Sequence, residues 1–303
     1  MNKALLVVGS VAFDTLKTRA GERTDILGGA ATYIALCASH FAPVNLVAVV
    51  GKGDFPDEHV QLLTGRGVNL DGLEMAQGRT FRWSGVYADD FSTRQTLKTE
   101  LGVFADFDPK IPPHYRSPSF VLLGNIHPAV QEKTLDRIGG APFVITDTMN
   151  LWIDVAADEL KRVIARTHLL VINDEEAQQL TGEKQIRNAA KKVLAMGLRA
   201  VIIKRGEHGA FLFTGDDVFF CPAIPLEEVI DPTGAGDSFV GGLAGYLVSQ
   251  DRTDAPALRR AMRCGTAVAS VTCEGFGTTA TAALTKTRID ERIAFLEKLV
   301  RLD

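Results

Sequence analysis

The sequence predicts an α/β fold, with a mostly parallel central sheet and helices layered against it. Three observations lead there. Short apolar runs at 5–8, 46–50, 120–123, 143–146, 169–172 and 201–204 are bounded by Gly, Asp or Asn and alternate little, as strands buried on both faces do. Segments with helical spacing lie between and after them. The composition, 46% hydrophobic and 23% charged over 303 residues, is that of a globular chain long enough to build its own core. Layered α/β architecture accounts for all three.

The elements follow in order. The first apolar run is short and Asp14 follows it closely, so it reads as a buried strand and not as a secretory signal. The stretch 14–27 is polar and turn-rich and breaks the strand–helix rhythm. Ala30, Ile34, Cys37 and Phe41 then recur at helical spacing, and Pro43 stops that helix. Residues 79–101 alternate with period two: Phe81, Trp83 and Tyr87 lie on one side, Arg82 and Ser84 on the other. A turn-prone 88–92 joins the two halves, which predicts a β-hairpin with Arg82 solvated. Helical patterns return at 185–196, 238–248 and 255–271. The last, 289–302, places Ile289, Ile293, Leu296 and Val300 on one face. The expected organisation is a single domain, 1–303, with a small β-strand lid made by about 12–27 and 79–102.

Composition excludes several classes. Thirty-three basic against 37 acidic residues give a net charge of −4, which argues against a binder of nucleic-acid backbones. No apolar run approaches the length of a membrane span. Cys37, Cys221, Cys264 and Cys273 form no C-x-x-C pair and read as reduced thiols of a cytoplasmic protein. The histidines are scattered, so a zinc site is not expected.

The most informative stretch runs Asp231-Pro232-Thr233-Gly234-Ala235-Gly236-Asp237 and leads into a helix. Small residues let the backbone approach a ligand closely. A helix N-terminus offers unpaired N–H groups to an anion. Asp237, in the first turn, is placed to accept a proton from a hydroxyl attacking a phosphoryl group. The same residue also serves as a helix-start acid, and that plainer role stays open on spacing alone. No G-x-x-x-x-G-K-[ST] loop and no Asp-Phe-Gly set occurs, which removes two other phosphoryl-transfer designs.

Here the chain resembles the ribokinase-like, or PfkB, family of carbohydrate and nucleoside kinases. D-x-T-G-A-G-D matches 231–237, the glycine pair matches Gly28-Gly29, and N-x-x-E matches Asn173 and Glu176. An opening strand leading to Asp14 and a glycine turn from Lys204 through Gly206 to Gly209 complete the set. The resemblance implies a three-layer α/β/α body with a strand lid, and roles residue by residue. Asp237 would be the general base, and the N–H groups of Gly234, Ala235 and Gly236 an anion hole. Asp14, Gly28 and Gly29 would hold the acceptor. Asn173 and Glu176 would organise Mg²⁺ through water near the phosphates. Asp231 and Thr233 would help to bind a monovalent cation such as K⁺, with carbonyls of Ser270, Cys273 and Gly275, and Thr233, Lys204, Gly206 and Gly209 would lie along the ATP. Two departures stand out: Lys204 replaces a small hydroxyl residue common in the family, and Ala30-Ala31-Thr32-Tyr33 lacks the lysine frequent in ribose-specific members.

An ordinary Asp with pKa near 4 facing an alcohol near 16 leaves about 12 units, roughly 16 kcal/mol. The base therefore orients the hydroxyl and takes its proton late. For the acceptor, Phe81, Trp83 and Tyr87 read either as packing or as a stacking wall for a base or sugar face. Asn125 follows a strand end, where sheet ligands bind; Trp152 reads as core, and His127 as a loop residue. The expected function is ATP-dependent phosphorylation of the primary hydroxyl of a ribonucleoside, a purine one foremost, or of a related ribosyl compound. A sugar or cyclitol kinase (ribose, fructose, inositol) and a non-catalytic nucleotide-binding protein are the alternatives. The expected partners are the small-molecule acceptor and ATP, with no nucleic acid, no membrane and a homodimer through the lid edge.

Overall fold

The computed structural model describes residues 2–301 apart from Ser92 and Asp216. Among the described residues thirteen strands form two sheets. The strands are β1 (Asn2–Val8), β2 (Ala12–Thr18), β3 (Gly21–Gly28), β4 (Val44–Gly51), β5 (Val68–Ala76), β6 (Phe81–Tyr87), β7 (Arg94–Glu100), β8 (Pro118–Leu123), β9 (Phe143–Asp147), β10 (Leu169–Asn173), β11 (Ala200–Lys204), β12 (Ala210–Thr214) and β13 (Asp217–Cys221). The helices are α1 (Ala30–Ala38), α2 (Asp57–Gly65), α3 (Pro128–Arg137), α4 (Asn150–Val155), α5 (Ala157–Ile164), α6 (Asp174–Thr181), α7 (Ile186–Leu194), α8 (Ala235–Gln250), α9 (Ala255–Thr272), α10 (Thr279–Ala282) and α11 (Lys286–Leu299).

The large sheet has the order β13-β12-β11-β10-β9-β8-β1-β4-β5. From β11 to β5 neighbouring strands are parallel, and at the other edge β12 pairs antiparallel with both β11 and β13. Side chains alternate between two buried faces. Leu5 and Val7 pack with Ile34, Val240 and Leu243 of α1 and α8. Leu6 and Val8 pack with Leu135 and Val163 of α3 and α5. Two-sided burial is why these runs lack a polar alternation. Because the strands run the same way, their C-terminal ends gather on one edge, carrying Asn125, Asp147, Asn173 and Lys204, and ligands of open α/β sheets bind outside that edge.

The second sheet has the order β3-β2-β6-β7. The stretch expected to be turn-rich is instead two antiparallel strands joined at Arg19-Ala20. Its polar residues lie mainly in β3, while β2 buries Ala12, Phe13, Asp14, Leu16 and Thr18. The expected hairpin is β6 and β7, with a bulge between Ser84 and Gly85; Ser92 of its turn lies outside the described residues. β2 and β6 pair in parallel, setting Asp14 beside Trp83, and β7 sets Arg94 beside Tyr87.

Arg82 is not solvated. Its side chain is 15% exposed, pairs with Asp54 at 2.9 Å and Asp25 at 3.4 Å, and lies over the Phe13 ring. Asp54, which also accepts from Thr80 N–H, lies outside the second sheet, so the arginine ties that sheet to the body. In α11, Ile289 and Leu296 are buried, whereas Val300 follows the helix end and is exposed; Leu302 lies outside the described residues. No helix among the described residues is long and apolar enough to cross a membrane.

Candidate active site

The glycine pair shapes the entrance of α1. Gly29 has φ 88°, and a Cβ there would stand 2.6 Å from Ser10 O and 2.7 Å from Ala12 N. At Gly28 a side chain would run into the Asp14 carboxylate. Asp14 is thus lodged against the glycine pair, 5% exposed. Burial, and after it the charges of Asp231 and Asp237, push its pKa up to about 7.

The signature loop ends in α8. Gly234 is left-handed, with φ 76° and ψ 0°, and is the residue before the helix. A Cβ on it would lie 2.5 Å from the Tyr33 ring, so glycine is required there twice over. The Ala235 N–H is spent on Pro232 O at 3.1 Å. The N–H groups of Gly234 and Gly236 find no backbone acceptor among the described residues, as expected at a helix start that faces a ligand. Asp237 follows, partly exposed in the first turn. Burial and the neighbouring Asp147 raise its pKa to about 7, against the pull of Lys204 and Arg94.

Lys204, at the end of β11, lies against the same turn. Its Nζ is 3.2 Å from the place a Gly236 Cβ would take and 3.5 Å from Asp147 Oδ1. Burial disfavours its charge, but Asp147, Glu176 and Asp237 together hold the ammonium protonated above its usual range. Asn173 and Glu176 form a capping box at the start of α6: Asn173 N–H donates to Glu176 Oε2 (2.8 Å) and Glu176 N–H to Asn173 Oδ1 (2.7 Å). Glu176 is 6% exposed, and burial lifts its pKa to about 7, partly opposed by Lys204.

Asp231 is fully buried. Its two carboxylate oxygens accept from Thr233 N–H and Gly277 N–H, each at 2.9 Å, and no basic side chain pairs with it among the described residues. The second sheet reaches this loop twice: Tyr87 Oη lies 2.9 Å from Thr233 Oγ1, and Thr18 Oγ1 donates to Ile230 O at 2.9 Å.

The remaining expected site residues divide. Trp83 is half-buried, its Nε1–H donates to Thr96 Oγ1, and Arg94 lies over its ring at 5.2 Å. Phe81 turns a ring face to Phe104, which stacks in turn on Phe107. Asn125 Oδ1 accepts from Trp152 Nε1–H at 2.8 Å, and Trp152 also packs on His127. His127 caps α3, accepting from Ala129 N–H. Gly206 is exposed, while Gly209 is buried against the Cys221–Pro222 backbone.

Asp147, Arg94 and Tyr33 were not singled out from sequence. Asp147 ends a buried strand beside other strand ends, a position the apolar run itself marks. Arg94 enters through the β6–β7 register, which a single sequence with a bulge does not disclose.

The arrangement has a sheet edge with three acids around one ammonium, a helix start with free N–H groups, and a buried Asp14 whose ionisation the charges of Asp231 and Asp237 oppose. The model of the pfkB family of carbohydrate kinases matches residues 2–285. The chain belongs to the PfkB family. This PfkB protein is similar to the cytidine kinase of Thermococcus kodakarensis, 33% identical over 249 residues that span 80% of this chain and 88% of that one. Its fold matches the nucleoside kinase of Methanocaldococcus jannaschii, with TM-score 0.76 and 21% identity, covering 97% of this chain and 98% of the other. It also matches aminoimidazole riboside kinase from Salmonella enterica, solved with aminoimidazole riboside and an ATP analogue. There the TM-score is 0.73 and identity 19%, covering 96% and 99%. At those identities the structures speak to fold. Family and relatives make this PfkB protein a small-molecule kinase.

Proposed function

We propose that this kinase transfers the terminal phosphoryl of ATP to the primary hydroxyl of a ribonucleoside or a related ribosyl compound. The observation that carries the reading is the setting of Asp14: it is buried against the glycine pair, the charge of Asp237 opposes its ionisation, and by register it stands beside Trp83. A ribosyl hydroxyl held by Asp14, Gly28 and Gly29 then faces Asp237, and its base lies toward Trp83. The similarity to a cytidine kinase supports the nucleoside class.

In this reading Asp237 orients the hydroxyl and takes its proton late. Raising its pKa to about 7 narrows the gap to an alcohol to about 9 units, roughly 12 kcal/mol, so a free alkoxide is still not formed. The N–H groups of Gly234 and Gly236, with Lys204 at their side, stabilise charge on the transferring group. The second sheet acts as a lid, closed on the loop through Tyr87–Thr233 and Thr18–Ile230.

The residues present fit a divalent cation held through water. Among the described residues no three His, Cys, Asp or Glu come together as a direct metal cage, yet Asp147, Glu176 and Asp237 outnumber their one ammonium. Mg²⁺ keeps several of its waters and takes few protein ligands. Glu176, oriented by Asn173, would hold such a water shell; when bound, the ion neutralises charge on the phosphates. Asp231, buried with no basic partner among the described residues, fits a monovalent cation in the same way. Thr233, Gly206 and Gly209 would line the nucleotide.

The test is an ADP-release assay with cytidine, adenosine, inosine, ribose, fructose and inositol. The expected result is a kcat/KM for at least one nucleoside ten or more times that for any free sugar or cyclitol; the reverse order refutes the acceptor assignment. Trp83→Ala is expected to lower kcat/KM for the nucleoside about 10- to 100-fold, the worth of one base stack, with little effect on a sugar. The pH profile has a definite sign. The base must be unprotonated, so kcat/KM is expected to fall about tenfold per unit as pH drops below about 7. Were Asp237 an ordinary exposed acid, the fall would begin near pH 4.

A further inference from the structure

We propose that Tyr33 is a further catalytic residue of this kinase, its hydroxyl donating a hydrogen bond to an oxygen of the phosphoryl group in transfer. The inference rests on the phosphoryl site proposed above, at the turn of Gly234, but not on the choice of acceptor.

Tyr33 lies in α1, just after the glycine pair, and is 1% exposed. Its hydroxyl oxygen is closed to solvent and meets no hydrogen-bond partner among the described residues. Buried polar groups are almost always bonded, and an orphan at a site asks which ligand completes it. The geometry places this one. A Cβ at Gly234 would stand 2.5 Å from Cζ and both Cε atoms of the ring. The hydroxyl end of the ring, rather than its stem, therefore lies at the head of the turn that opens α8. Asp14 of β2, Asp231 of the loop, Asp237 of α8 and Tyr87 of β6 are its polar neighbours. Burial and those acids keep the phenol protonated well above its usual range, so it is a donor.

Three carboxylates stand near that donor, and it bonds to none of them. The partner it lacks is an acceptor oxygen brought by a ligand. Of the oxygens a ligand would bring to that turn, the attacking hydroxyl and the phosphoryl oxygens are the ones that react. Donating to the attacking hydroxyl would draw density from the lone pair that forms the new bond. Donating to a phosphoryl oxygen does the opposite, stabilising the charge spread over the equatorial oxygens of a loose transition state. In the step, a bond forms between the acceptor oxygen and the terminal phosphorus, and the bond from that phosphorus to the bridging oxygen of ADP breaks. The acceptor's proton passes to Asp237, and Tyr33 keeps its own. Tyr87, which meets Thr233 and acts on this phenol, is the residue of the second sheet that would have to move for a ligand oxygen to reach it.

Tyr33→Phe tests this, because it removes only the oxygen. The ligand-free variant is expected to melt no lower than the wild type, since the lost hydroxyl had no partner. With any acceptor the wild type turns over, nucleoside or sugar, kcat is expected to fall about 100-fold, with KM for ATP and acceptor within about twofold. Affinity for ADP with aluminium fluoride, a stand-in for the phosphoryl group in transfer, is expected to weaken by a like factor, while affinity for ADP alone is unchanged. An unchanged kcat overturns the proposal, as does a change in KM alone, or a fall in activity that comes with a fall in Tm. Failure of the nucleoside assignment would show in the acceptor panel and leave this comparison standing.

Discussion

Asp237→Asn is expected to lower kcat about 1,000-fold while nucleotide affinity, measured by calorimetry, stays within a few-fold. The amide keeps the shape and the helix-start position but takes no proton, and a positioned general base is worth about 100- to 10,000-fold. The same substitution has a stability signature of the opposite sign. Burial and Asp147 raise the folded-state pKa of Asp237 from 3.8 to about 7. The folded protein therefore holds a proton there that the unfolded chain releases, and the group's favourable contribution, complete below pH 4, is lost as pH rises through about 7. At pH 8 the wild type carries the charge at full cost and the asparagine variant does not. The ceiling is about 4 kcal/mol, at 1.36 per pH unit, and solvent at a partly exposed carboxylate brings the expectation to about 2 kcal/mol. Thermal unfolding at pH 8 should show the ligand-free variant melting about 4 °C above the wild type. At pH 4 that advantage should disappear. Full turnover in the variant would remove Asp237 from the chemistry, and equal Tm values at pH 8 would show that its surroundings do not oppose its charge.

Gly234→Ala is expected to damage both stability and turnover. Left-handed backbone alone costs a non-glycine residue about 1–2 kcal/mol. Here the added methyl also meets the Tyr33 ring at 2.5 Å, so the buried ring or the loop must shift. Gly182, after α6, has φ 73° with nothing within 4 Å of a Cβ, so Gly182→Ala isolates the backbone cost. The expected order is a loss of about 1 kcal/mol at 182 and about 3 kcal/mol or more at 234, read from denaturant unfolding. Turnover should fall at least 100-fold at 234 and stay near wild type at 182, because only the first substitution moves the N–H groups beside Asp237.

The central strands were legible because each is buried on both faces: 5–8, 120–123, 169–172 and 201–204 fall within β1, β8, β10 and β11. The loop 231–237 was legible because a left-handed glycine and a helix-start acid impose residue types locally. What escaped is what pairing decides. β2 and β3 looked like a turn-rich loop, since β3 faces water along much of its length and its alternation is masked. Arg82, placed outside by simple alternation, is held by Asp54, a residue far away in sequence. Arg94 reaches the acids of the site only through the β6–β7 register. Tyr33 was not read for a role of its own, because its significance lies in a bond it does not make.

The two ends of β6 are fastened differently. Near its start Arg82 is gripped by Asp54, an ionic clamp on the body, and lies over Phe13 of neighbouring β2. At its finish the ties to the loop are neutral ones, Tyr87 to Thr233 and, from neighbouring β2, Thr18 to Ile230. Should the sheet it shares with β2 and β7 move on the body, this uneven fastening would favour a pivot over a slide. The hairpin tip would then sweep the widest arc, carrying Arg94 toward or away from the acids with each swing, so that admission of the acceptor and delivery of positive charge become one mechanical event.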